Sequence, residues 1–142
     1  MAKKFITKSY KETQKLGQDL AHQLRFGKAQ KTAVVITLQG DLGSGKTTFL
    51  QGFAKGLGIR EKITSPTFVI MKHFDNFYHF DCYRINKPEE ILELGWKEII
   101  SNPKNIVAIE WPEKIKKYLP KNAIKINFKF IKEKTREIIF KI

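Results

Sequence analysis

Gly40-Asp41-Leu42-Gly43-Ser44-Gly45-Lys46-Thr47 satisfies every fixed position of G-x-x-x-x-G-K-[ST]. Glycine lets a backbone turn through positive φ and approach a phosphate without a Cβ in the way. Successive N–H groups across Asp41, Leu42, Gly43, Ser44 and Gly45, backed by a helix start, form an anion nest. In such a nest Lys46 reaches β- and γ-phosphates and the Thr47 hydroxyl ligates Mg²⁺. Thr48 is in place for the α-phosphate. This is chemistry for a nucleoside triphosphate; the bland alternative is a glycine-rich turn that binds nothing.

Such a site needs a carboxylate at the end of a neighbouring strand to hold Mg²⁺, directly or through water. Glu110 finishes the apolar run Ile106-Val107-Ala108-Ile109. A buried acid there is costly without a partner. The segment His79-Phe80-Asp81-Cys82-Tyr83-Arg84 supplies a second acid. Strand alternation puts His79, Asp81 and Tyr83 on one face, where Asp81 would orient an attacking or metal-bound water. His79 reads first as a hydrogen-bonded core or edge residue, with a role in the site as the alternative. Arg84 would neutralise phosphate charge or pair with Asp81. Thr67, in Thr64-Ser65-Pro66-Thr67, is a candidate sensor of the γ-phosphate, against an ordinary proline turn. Asn86-Lys87-Pro88-Glu89 imitates the guanine reader N-K-x-D but carries Glu where Asp is required. Adenine has no clean mark; Tyr10 is a candidate, or a packing residue.

The elements that must position these residues are legible in outline. Residues 33–39 are a short β-branched run, expected as a strand buried on both faces. It runs straight into Gly40. A helix over 46–57 follows, with Phe49, Leu50, Phe53 and Leu57 on one side and Gly58 closing it. Upstream, 9–26 reads as an amphipathic helix with a Leu16, Leu20, Leu24 stripe, a Ser9–Glu12 capping box and a stop at Gly27. Tyr10 and Thr13 lie on or near the stripe. Downstream, 67–74 and 77–83 form a hairpin about Asp75-Asn76. Pro88-Glu89-Glu90 opens a short helix. Residues 106–111 are a second buried strand, stopped by Pro112. Residues 123–131 alternate, and 137–142 form a last strand. The order predicts an α/β fold: a P-loop NTPase-like three-layer sandwich with a mixed parallel and antiparallel sheet.

The chain has 142 residues, which suits a single P-loop NTPase domain over 1–142. No apolar run approaches the ~20 residues of a membrane span, and no signal-type h-region follows Lys3-Lys4. One cysteine, Cys82, excludes an internal disulfide and a multi-cysteine zinc site. A cytoplasmic location fits. Lys+Arg 27 against Asp+Glu 14 gives a net charge of +13, with only four of the 27 being Arg. A lysine surface is well solvated and reads partners without specificity. The Lys114–Lys117 cluster and the Lys125, Lys129, Lys132, Lys134 series are wet faces or attract a polyanion such as RNA.

Four blocks occur together in order: 40–49, Ser65-Pro66-Thr67-Phe68, His79 to Arg84, and Ile109-Glu110-Trp111-Pro112-Glu113. In this combination the chain resembles the TsaE family, small bacterial ATPases of tRNA threonylcarbamoyladenosine biosynthesis. The resemblance spans the first helix to Arg136. It implies ATP at Gly40 to Thr48, Mg²⁺ at Thr47 and Glu110, and roles for Asp81 and Trp111 in hydrolysis or partner coupling. It implies partner proteins of the TsaB and TsaD type, an indirect relation to tRNA, and an ATPase that resets their complex between turnovers. Many family members have a longer stretch between Ser-Pro-Thr and His-Phe-Asp, and the C-terminal segment here is unusually rich in lysine. Lys46, Asp81 and Glu110 are thus the expected catalytic residues. With no arginine evident as a finger except Arg84, hydrolysis by the isolated chain should be slow and partner-stimulated. Two other readings compete: a small-molecule kinase, for which 142 residues leave little room, and a basic RNA-binding module that retains nucleotide.

Overall fold

The computed structural model describes residues 2–64 and 70–142. Its strands are β1 (Ala2–Thr7), β2 (Val34–Gln39), β3 (Met71–Phe74), β4 (Phe77–Asp81), β5 (Ile106–Glu110), β6 (Ile124–Lys132) and β7 (Thr135–Lys141). The α-helices are α1 (Tyr10–Arg25), α2 (Lys46–Gly56) and α3 (Trp96–Ser101), with 3₁₀ helices over Pro88–Leu94 and Pro112–Tyr118. The seven strands make one mixed sheet in the order β1-β7-β6-β2-β5-β4-β3. This is the expected α/β class with a mixed sheet.

The chain folds as two compact units. The first holds β1, α1, the phosphate loop, α2, most of β6 and β7. Ser9 caps α1 in extended conformation, its Oγ accepting the Glu12 N–H at 3.1 Å. The Glu12 carboxylate turns back to the Lys8 N–H at 2.8 Å, one residue before the cap that a regular capping box would serve. The buried face of α1 is Thr13, Gly17, Leu20 and Ala21, while Leu16 and Leu24 are half-buried. This corrects the leucine stripe, and glycine is the reason. A Cβ on Gly17 would strike the Phe49 carbonyl oxygen, one on Gly52 the Gln14 backbone, and one on Gly56 would lie 2.7 Å from the Gln18 oxygen. The two helices approach backbone to backbone, so the smallest residues define the contact. Phe26 is the C-cap of α1, its N–H reaching the His22 carbonyl, and Gly27 follows directly outside the helix.

On α2, Phe49, Leu50 and Phe53 are fully buried, and the Phe49 ring meets Phe128 edge-on at 5.3 Å. β1, not anticipated from the sequence, pairs antiparallel with β7 from Ala2↔Lys141 to Thr7↔Arg136. Lys3 and Lys4 on this outermost strand are exposed, as edge lysines often are. β6 and β7 join through Glu133-Lys134, with Lys134 at φ 64°.

The second unit holds β2 to β5, α3 and both 3₁₀ helices. β2 and β4 both run parallel to β5, so β5 is flanked on both edges. The middles of β2 and β5 are buried, as their unbroken apolar runs require. β3 and β4 form the expected hairpin about Asp75-Asn76, with Asp75 at φ 52°. Residues 67–69 of the expected first strand lie outside the described residues. β4 stops at Asp81, two residues earlier than the sequence suggested. The Asp81 carboxylate accepts the Tyr83 N–H at 3.1 Å and turns the chain, so Tyr83 does not continue the His79–Asp81 face.

Pro88 opens a 3₁₀ helix rather than an α-helix. The Glu90 carboxylate accepts the Asn86 and Lys87 amides at 2.8 and 2.7 Å, and these bonds hold its pKa below the usual range. The Asn86-to-Glu89 string is therefore a helix start. Gly95 (φ 80°) then allows α3, which was not foreseen, to follow. Trp96 is the largest core residue here, edge-on to Phe80 at 5.4 Å. Lys114, Lys116 and Lys117 are exposed around buried Ile115, the wet-face arrangement. Among the described residues no helix is long and apolar enough to cross a membrane.

Candidate functional site: the phosphate loop and the strand-end carboxylates

The phosphate loop is built inside the first unit. Gly40 opens it, and an added Cβ there would lie 2.6 Å from the Phe128 oxygen and 2.7 Å from Ser44 Oγ. Gly43 (φ 79°) and Gly45 (φ 107°) take the left-handed turns that glycine permits. The Ser44 N–H closes a turn on the Asp41 carbonyl at 3.1 Å. Lys46 is buried, and its Nζ donates to the Gly40 carbonyl at 2.6 Å. Gly45 caps α2 with no side-chain hydrogen bond, and the first turn carries no acid. A helix start left this way offers amides and a positive dipole end to an anion. Ser44 Oγ is buried, and among the described residues it has no hydrogen-bond partner. A buried hydroxyl without a partner is costly, and a phosphate oxygen would satisfy it. These features fit a nucleotide's phosphates. Thr47 and Thr48 follow on the first turn, both half-buried. Asp41 and Leu42 are exposed, Leu42 at 84%.

The carboxylates are built inside the second unit, at the C-terminal ends of parallel strands. Glu110 ends β5 level with Asp81 on β4 and with Leu38 on β2, and Leu38 stands two residues before Gly40 in the chain. Glu110 is 3% exposed and His79 1%, and His79 Nε2 lies 2.7 Å from Glu110 Oε2. The imidazole is the partner that a buried acid requires. The Cys82 N–H donates to the Glu110 carbonyl at 3.0 Å. Burial pushes the Cys82 thiol up to about 12, reinforced by the nearby Asp81, Glu113 and Glu110 carboxylates. Among the described residues no group of three His, Cys, Asp or Glu side chains forms a metal cage. Mg²⁺ does not need one, because it retains waters and takes phosphate oxygens.

Beyond β5, Trp111 takes φ 57°, and its ring meets that of exposed Tyr83 at 5.0 Å. Tyr10 is the first residue of α1 and 55% exposed. Thr67 lies outside the described residues. One residue at the loop escaped the sequence reading. Arg136, on β7, is 8% exposed and donates from Nε to the Gly43 carbonyl at 3.1 Å. Ninety-three residues of chain separate the two, so no local spacing signals the contact.

The fold and the loop define the class: an α/β protein with a mixed sheet whose glycine-rich strand-to-helix loop is of the P-loop type. The family model described as "Threonylcarbamoyl adenosine biosynthesis protein TsaE" matches residues 7–138. The chain belongs to the TsaE family. It is 40% identical over 114 residues to the tRNA threonylcarbamoyladenosine biosynthesis protein TsaE of Bacillus subtilis (strain 168), covering 78% of this chain and 70% of that protein. It is 33% identical over 136 residues to the protein of the same name from Treponema pallidum (strain Nichols), covering 94% and 96%. The solved structure titled "Crystal structure of Bacillus subtilus YdiB" matches with a TM-score of 0.76 at 34% identity, covering 99% of this chain and 84% of that one.

Proposed function

We propose that this chain is a Mg²⁺-dependent ATPase serving N6-threonylcarbamoyladenosine modification of the tRNA adenosine next to the anticodon. The observation that carries the reading is Ser44 Oγ, a buried hydroxyl with no partner among the described residues, in a loop that ends at a helix start with no side-chain cap. Family membership supplies the pathway.

In this reading the loop amides from Asp41 to Thr48 and the Lys46 ammonium hold the triphosphate. Phosphoryl transfer asks for positioning and charge neutralisation more than covalent chemistry. Lys46 is anchored by the Gly40 carbonyl and needs little reordering to meet a β- or γ-oxygen. Thr47 and Glu110 would hold Mg²⁺, which when bound neutralises charge on the phosphate oxygens. His79 fixes the Glu110 carboxylate, as outer partners of metal ligands commonly do. Asp81 orients the attacking water; Thr67 is the proposed γ-phosphate sensor and Tyr10 the proposed adenine contact. The chain works as one P-loop domain in the cytoplasm with partners of the TsaB and TsaD type. Its hydrolysis resets their complex, and its relation to tRNA is indirect.

The test is phosphate release from ATP by the chain alone and with both partner proteins and tRNA. A slow rate alone and a clear rise with the partners is expected. Asp81→Ala should lose turnover while still binding ATP. Equal rates with and without partners would contradict the proposed reset role.

A further inference from the structure

Asp41, Leu42 and Gly43 form an exposed loop tip. Among the described residues, a Cβ added at Gly43 would meet nothing within 4 Å. Hydrogen bonds contribute to holding this tip. Ser44 N–H to Asp41 and Lys46 to Gly40 are internal to the loop. Arg136 ties it to another element. Its Nε donates to Gly43, and its Nη1 donates to the Lys132 and Thr135 carbonyls, both at 3.0 Å. The last two bonds lock the guanidinium to the β6–β7 turn, and the Phe130 ring lies beneath it at 4.6 Å. Its stem passes Gly45, where an added Cβ would sit 3.4 Å from Arg136 Cγ.

The side chain is thus fixed before it meets the loop. A planar fork can bond three carbonyls at once, whereas an ammonium is a single point charge on a flexible stem. The carbonyl it engages matters electrostatically. A Gly43 oxygen free to swing toward the nest would repel phosphate, and the guanidinium engages it instead. The Arg136 charge also adds a positive field beside the nest.

We propose that Arg136 is a positioning residue for the phosphate loop, holding Gly43 so that the nest is preformed for a nucleotide's phosphates. The inference rests on the nucleotide reading above. Preorganisation lowers the cost of binding rather than the barrier to hydrolysis. Arg136→Met and Arg136→Lys should therefore both weaken ATP affinity by about tenfold, the scale of one charge-assisted hydrogen bond. KM should rise in step, with kcat kept within about twofold.

The experiment measures ATP affinity with Mg²⁺ by calorimetry, steady-state kinetics and thermal midpoints for wild type, both Arg136 variants and Lys46→Ala. Weakened affinity in both folded variants, with no rescue by lysine, is the expected result. Wild-type affinity in either folded variant, with Lys46→Ala inactive in binding, overturns the role of Arg136 and leaves the nucleotide reading standing. A loss of binding that matches the loss of folded protein overturns it too, by assigning Arg136 to the fold. If wild type itself binds no ATP, the nucleotide reading falls and takes this inference with it.

Discussion

The His79 imidazole and the Glu110 carboxylate meet at 2.7 Å while almost wholly buried, reaching across two register positions between the neighbouring parallel strands β4 and β5. Each is the other's means of being buried. Removing one partner of a buried hydrogen bond leaves the other unsatisfied, at a cost of about 1–3 kcal/mol. His79→Ala should lower unfolding free energy on that scale in urea denaturation. Loss below about 1 kcal/mol, the level of an exposed pair, would show that the contact carries no such burden.

Lys46 is bonded to the Gly40 carbonyl and lies inside the loop. Lys46→Ala removes both the phosphate contact and that internal tie. Fluorescent ATP analogues should show binding lost or weakened beyond about a hundredfold, as befits a charged hydrogen bond of up to about 3 kcal/mol. Retained affinity would move the phosphate site elsewhere.

Glycine at the α1–α2 contact is structural. Gly52→Ala drives a Cβ into the Gln14 backbone, where no flexible side chain can yield. Overpacking of this kind costs about 1–3 kcal/mol or more. The thermal midpoint should fall by several degrees, and Gly43→Ala, with open space but φ 79°, should cost less. Equal stability of wild type and Gly52→Ala would refute the close approach.

The pH dependence has two limbs. The Cys82 thiol is held up at about 12, above its ordinary value of 9.0, by burial first and by nearby carboxylates second. The folded state therefore binds the proton more tightly, and stability falls as pH rises above the ordinary thiol range. At pH 8 the native thiol should react with alkylating reagents only as fast as the chain unfolds. Fast native labelling would contradict its burial. Glu90 and Glu137 are lowered, by the Lys87 and Asn86 amides and by the Lys4 ammonium respectively. Their contribution is present above ordinary carboxylate pKa values and is lost as pH falls through the folded ones.

Much of this was legible in the chain because it is local. β2, the loop and α2 are written in consecutive residues, and the buried runs of β2 and β5 need no partner to be recognised. The Asp75-Asn76 hairpin is equally local. What escaped depends on distant partners. β1 is a strand because β7, more than 120 residues on, offers it an edge. The α1 face turned because Gly17 meets Phe49 and Gln14 meets Gly52, a match neither helix shows alone. The early stop of β4 belongs to the Asp81 carboxylate, whose bond to Tyr83 no alternation reveals. His79 was visible as a residue but not as the partner of Glu110. Arg136 was invisible, since its importance lies in reaching a carbonyl on another element.

The loop from Gly40 to Thr48 is the proposed seat of a nucleotide's phosphates. Calorimetric titration of the folded chain with ATP and Mg²⁺ tests it most directly. Saturable binding near one ATP per chain, lost in Lys46→Ala, is the predicted result. No heat of binding from correctly folded wild type, at concentrations where its far-ultraviolet spectrum is native, would contradict it.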